Sequence, residues 1–174
     1  MGYGLLSNLK SKVMEVLLAL LSFVIAGCFI GHYCIVKKGA PESISSLVYG
    51  MEHKWLWSVW IVAVGMLLFP RLMSKMPEMW QFVGFLMLLA LIGTALTPLF
   101  AKEKRTAHYI IGSILGLLVL ACVYIISPWW LLVLIPVVPL TGMSMSDDCP
   151  KWLDGKILFF VELACLIALY GSLI

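Results

Sequence analysis

From Val16 to Val36 the chain runs without a single Asp, Glu, Lys or Arg. A helix needs about 20 mainly apolar residues to cross a hydrocarbon core of about 30 Å, so this stretch alone is long enough to span a bilayer. Comparable runs follow from Trp55 to Phe69, from Met79 to Phe100, from Ala107 to Ile126 and, with one acid inside, from Ile157 to Ile174. Backbone N–H and C=O groups in lipid must find partners within the protein, so such runs form helices rather than open strands. Composition points the same way. The chain is 63% hydrophobic and 12% charged, where soluble domains are about half apolar and about a quarter charged. An aqueous fold of 174 residues has too little interior to hide that much apolar surface.

The interruptions set the boundaries. Lys10 and Lys12 precede the first run, and Lys37 and Lys38 follow it. Pro70–Arg71 closes the second, and Lys102-Glu103-Lys104-Arg105 separates the third from the fourth. Ser127–Pro128 opens a fifth, short segment, because proline ends the helix before it cheaply and cannot continue it. Trp55, Trp57, Trp80, Trp129, Trp130 and Trp152 lie near run ends, where an interfacial aromatic belt belongs. These signals predict one all-α domain over 1–174, a polytopic integral membrane protein built as a six-transmembrane-helix bundle. The helices are expected at about 13–36, 54–70, 78–100, 107–127, 129–145 and 156–174. Pro136 and Pro139 make the fifth a kinked span, with Thr141 and Ser144 placed to satisfy freed backbone groups.

Lys10 and Lys12 ahead of Ile25-Ala26-Gly27-Cys28 resemble a signal peptide ending in a bacterial lipobox. Phe29-Ile30-Gly31 continues the apolar run where a polar tether would follow, so a retained first helix is expected. Six spans put both ends on one face, A, with Lys10, Lys12, Arg71 and Lys75. The opposite face, B, holds Lys37, Lys38, Lys54, Lys102, Lys104, Arg105, Lys151 and Lys156. The positive-inside rule counts only these basic residues and favours face B in the cytoplasm. A bacterial inner membrane and a eukaryotic endomembrane fit the pattern equally.

The polar chemistry gathers on face B. His32, His53 and His108 map there, with Asp147, Asp148 and Asp154 and the first-loop residues Glu42, Ser43, Ser45, Tyr49 and Glu52. His53 and His108 with Asp147 or Asp148 would suit a metal-activated water acting on an interfacial lipid, the chemistry of a hydrolase or transferase. Their spacing matches no ligand motif, and imidazole is also an ordinary interfacial group. Glu162 lies about 9 Å inside the last run at 1.5 Å per residue. An acid at that depth faces protein or water. It reads either as an ion or proton site in a small transporter or channel, or as a hydrogen-bonded structural carboxyl, with Glu42, Ser43 and Ser45 as candidate substrate or ion contacts. Glu15, close to Lys12 and its interface, reads as solvated.

Gly27 and Gly31 form one GxxxG stripe, and Gly112 and Gly116 another. Glycines four apart let helices approach closely, first within the bundle and second between copies or with another chain. Among the five cysteines, Cys34 and Cys149 fall at ends of different runs and would pair only in an oxidising compartment. The net charge of +3 forms no basic stripe, which excludes nucleic acid and leaves membrane lipids as the expected partners.

Pro41-Glu42-Ser43-Ile44-Ser45, Gly84, Gly93 and His108-Tyr109-Ile110-Ile111-Gly112-Ser113 carry a resemblance. Together they resemble the six-span family of DRAM and Frag/Sfk proteins and the related DUF998-type bacterial proteins. The resemblance covers about the first 120 residues as a layout. Ser46 stands where that pattern commonly has an aspartate. It implies a six-helix bundle with cytoplasmic termini, opposite to the charge count, and a role in membrane lipids or trafficking. The leading functional expectation is a multi-pass membrane protein acting through lipid or protein contacts. The metal-dependent lipid enzyme, and a small transporter or channel with Glu162 and the Pro136–Pro139 break lining a path, are the alternatives.

Overall fold

The computed structural model describes residues 2–100, 105–146 and 149–174. Among them there is no strand. The long helices are α1 (Gly2–Val36), α2 (Lys54–Lys75), α3 (Gln81–Phe100) and α4 (Arg105–Ile126). A short helix α5 (Val137–Ser144) and a final helix α6 (Ile157–Leu173) complete the set, with 3-10 helices at Ser45–Gly50, Glu78–Trp80 and Pro128–Leu134. Four stretches, Asn8–Val36, Lys54–Lys75, Glu78–Leu99 and Thr106–Ile126, are long and apolar enough to cross a membrane. Their outward faces are apolar at mid-helix: Leu21, Met66, Leu89 and Leu117 are all exposed. In water such a surface would be an aggregation hazard. In lipid it is the solvated face.

Three boundaries differ from the expectation. α1 starts at Gly2 rather than near 13, because Leu5, Leu6, Lys10 and Lys12 are good helix formers and no proline interrupts them. α2 passes through Pro70 to Lys75. Pro70 is exposed, and Leu68, Leu72 and Met76 form a buried stripe that holds the last turns against the core. The fifth segment is not one kinked helix. It is a 3-10 helix followed by α5. Pro128 opens the first piece, while Pro136 caps α5 and Pro139 lies in its first turn. A missing N–H costs nothing at helix starts, so these prolines begin helices rather than break them.

Packing follows chain order: α1 on α2, α2 on α3, α3 on α4, then α6 on α4 and on the Pro128–Leu134 helix. The larger core joins Leu68, Leu72, Met87, Val123, Ala168 and Leu173. A smaller one joins Ile30, Ile44, Leu47, Val48, Trp57 and Phe159, so the first loop is folded into the bundle rather than lying on it.

Polar ties mark both ends and the middle. At one end the Arg71 Nε donates to the Leu173 carbonyl at 2.8 Å, and Arg71 Nη1 lies 4.0 Å from the Glu15 carboxylate. Glu15 is thus half-buried beside Arg71 and not simply solvated. In the middle, Ser22 donates to the Val64 carbonyl at 2.8 Å and lies 2.7 Å from the Tyr170 hydroxyl. Ser58 donates to the Ala95 carbonyl. These bonds stitch α1, α2, α3 and α6 where no water competes.

The glycine stripes do not lie where the helices come closest. A methyl group built on Gly27, Gly31, Gly112 or Gly116 would meet nothing within 4 Å. Close approach runs instead through Gly65 against Leu91, Gly84 against Met73 and Met76, and Gly171 against the Trp130 ring. All five cysteines are free, including Cys34 and Cys149.

Candidate functional site

The sequence Ser43-Ile44-Ser45-Ser46 folds as a helix start. The Ser46 N–H donates to Ser43 Oγ at 2.9 Å, and the Ser43 N–H donates to Ser46 Oγ at 3.1 Å. This is the reciprocal arrangement of a capping box, with serine in place of the usual Glu or Gln. Ser46 Oγ in turn donates to the Ser43 carbonyl at 2.8 Å. Ser43 is buried, and its Oγ also lies 3.1 Å from Ser45 Oγ.

Glu162 of α6 meets this helix start head-on. Its carboxylate accepts from the Ile44 N–H, from the Ser45 N–H at 3.1 Å and from Ser45 Oγ at 2.8 Å. The first N–H groups of a helix have no internal acceptor, and a carboxylate is their strongest partner. A second tie lies beside it, where the Phe159 N–H donates to the Glu42 carbonyl at 3.1 Å. The last helix therefore grips the first loop through backbone and side chain together.

His108 of α4 grips it from the other side. The ring is 1% exposed, and Nε2 lies 3.1 Å from the Ser45 carbonyl. A carbonyl only accepts, so Nε2 carries the hydrogen of this bond. The ring also lies near the Thr94 carbonyl of α3, although Nδ1 makes no hydrogen bond of normal geometry. That neighbour has a cause. Pro98, buried in α3, has no N–H to give the carbonyl four residues back, and that carbonyl belongs to Thr94. Tyr49 closes the cluster, its ring edge-on to His108 at 5.6 Å.

The arrangement is not that of a serine–histidine pair. Glu162 takes the Ser45 hydroxyl hydrogen, while His108 touches the Ser45 carbonyl oxygen. Such a pair needs the ring nitrogen on the hydroxyl, and here the ring is on the backbone. Nor are His53 and His108 partners: His53 is exposed at the start of α2, and His108 is buried under Ser45. Asp147 and Asp148 lie outside the described residues. Among the described residues no three His, Cys, Asp or Glu side chains are grouped to hold a metal ion. Of the residues singled out from sequence, Ser43, Ser45, His108 and Glu162 converge. Glu42 contributes its carbonyl to the latch and its side chain to a neighbouring cavity.

That cavity, about 260 Å³, opens beside the latch. Tyr33 from the end of α1, Pro41, Glu42 and Ser46 from the loop, Tyr49 from the 3-10 helix and Tyr109 from α4 line it. Lys54 Nζ stands 5.8 Å from the centre of the Tyr49 ring. Sequence reading noted Tyr49 but missed Tyr33 and Tyr109. Tyr109 directly follows the buried histidine, and Tyr33 sits one residue past His32, so their shared end of the bundle was the available signal. Against this geometry, no protein-family model, no curated protein and no solved structure matches the chain.

Proposed function

We propose that this is a six-span membrane protein that acts by recognition, holding a rigid polar face at one membrane surface for contact with lipids or a partner protein. The observation that carries the reading is the latch. Glu162 and the Nε2 of His108 hold the backbone of the first loop, and Glu162 holds the Ser45 hydroxyl as well. Side chains tied to backbone in this way support a fixed surface.

The six-span count has its own support. α6 reaches from the Ser45 end, through Glu162, to the Arg71 end, through the Leu173 carbonyl. It therefore runs beside α2 from face B to face A. Trp130 packs on Gly171 towards the Arg71 end while α6 starts at the Ser45 end, which supports a crossing by Pro128–Ser144 in between. At 17 residues, α6 matches the short end of the spanning range, about 17–25 residues. The resemblance to the DRAM and Frag/Sfk layout is compatible with this count and with a lipid-facing role.

The test is retention of lipid. Purified from membranes into a mild detergent, the wild type is expected to keep a defined set of lipids, read by mass spectrometry. Glu162→Leu is expected to lose them while remaining helical and membrane-inserted. Turnover of a phospholipid that disappears in His108→Ala would assign the face to a lipid enzyme instead. Ion or proton flux through liposomes that falls in Glu162→Gln would assign it to a channel. Either result overturns the recognition reading.

A further inference from the structure

We propose that the cavity between Tyr33, Glu42, Tyr49 and Tyr109 binds an alkylammonium group, either the headgroup of a zwitterionic phospholipid or a free quaternary ammonium compound. The proposal rests on the reading of this face as a recognition surface and names what it recognises.

The lining decides the sign of the ligand. Three tyrosines, one glutamate and, among the described residues, no basic residue line the space. Aromatic rings carry a negative quadrupole on their faces and attract cations. The Glu42 carboxylate adds a formal charge and is paired with no basic side chain among the described residues. An anion would meet the Glu42 charge with no basic residue among the described lining to offset it. Size and chemistry then decide the kind of cation. A volume of about 260 Å³ is far larger than one water's share of about 30 Å³. No metal-ligating group of side chains converges there among the described residues. A bulky, weakly hydrated ammonium fits where a strongly hydrated metal ion does not, which is the usual business of an aromatic cage.

The walls are held before any ligand arrives. Ser46 is fixed by the capping box, and Tyr49 by His108 at its edge. The Tyr33 hydroxyl packs on Gly50, where an added methyl would come within 2.5 Å of it. Preorganisation of this kind lowers the entropic cost of binding. The surroundings favour a zwitterion over a bare cation. Lys54 stands over Tyr49 at the rim, and Lys37 and Lys38 lie exposed at the end of α1. A phosphate attached to the ammonium would find basic groups at that membrane face, outside the anionic cavity.

The experiment measures heats of binding to the full-length protein in a neutral maltoside detergent. The probes are dihexanoyl phosphatidylcholine, dihexanoyl phosphatidylglycerol and choline chloride. Saturable binding of the phosphatidylcholine is expected, with no matching signal from the phosphatidylglycerol. Glu42→Gln and Tyr109→Leu, both at exposed positions, are each expected to weaken it about tenfold with an unchanged melting temperature. Choline binding as tightly as the lipid supports the cavity with a free compound as its source. Tighter binding of the lipid supports the headgroup. Equal binding of the two phospholipids overturns the proposal, as does phosphatidylcholine binding that neither variant changes, or no binding of phosphatidylcholine and choline at all. If native lipids are still retained and still lost in Glu162→Leu, the recognition reading survives that failure. If they are not, both fall.

Discussion

Glu162 sits in a helix whose other residues from Ile157 to Gly171 are apolar or small apart from Tyr170, and its three donors explain why a carboxylate survives there. Glu162→Leu leaves the Ile44 and Ser45 N–H groups buried without an acceptor, at a cost of about 1–3 kcal/mol for each group so stranded. A large fall in the detergent melting temperature is therefore expected. Glu162→Gln keeps one acceptor oxygen, and the drop should be clearly smaller. Equal melting temperatures for the leucine variant and the wild type would refute the latch. Ser22→Ala removes a hydroxyl shared by the Val64 carbonyl and Tyr170, and is expected to lower stability by about 1 kcal/mol in the same assay. The presence of an acid at position 162 was plain in the sequence, but its partner was not. Ile44 lies 118 residues earlier, and no local spacing encodes that pairing. His108 was equally hidden: the carbonyl its Nε2 meets belongs to Ser45, 63 residues earlier.

At the scale of elements, apolar length fixed the four long helices because hydrocarbon leaves a backbone few alternatives. The fifth segment resisted, since Pro128, Pro136 and Pro139 read equally well as kinks or as starts. Their places in the fold decide between them: Pro128 and Pro136 stand at helix starts and Pro139 in the first turn of α5. The glycine motifs misdirected the reading for a related reason. Four-residue spacing says which residues share a helix face, not which face meets a neighbour. Gly171→Ala would drive a methyl into the Trp130 ring and should destabilise by about 1–3 kcal/mol, the usual cost of overpacking. Gly112→Ala and Gly116→Ala meet open space within the chain and should leave the melting temperature of the monomer unchanged or slightly raised. Thermal unfolding of the three variants side by side checks both halves. A shift in particle mass for the Gly112→Leu variant would show that the stripe joins copies.

For the whole molecule, the number of crossings is open to a direct measurement. Lys38, Lys75 and Lys151 are all exposed, and single cysteines can replace them in a cysteine-free chain. With six spans, an impermeant thiol reagent labels Lys38→Cys and Lys151→Cys from one side and Lys75→Cys from the other. With four, Lys151→Cys is labelled from the Lys75 side. The four long apolar helices were legible because their length and composition alone suit a membrane span. The interior was not, because Ser22, Ser58, Thr94, His108 and Ser172 are polar residues buried among apolar ones, and hydropathy reads their runs as uniform.

The grip of α6 on the first loop also imposes an order on biogenesis. A ribosome delivers Ile44 118 residues before Glu162, so the folded first loop cannot set until α6 has been made. Until then the loop is an unfinished surface.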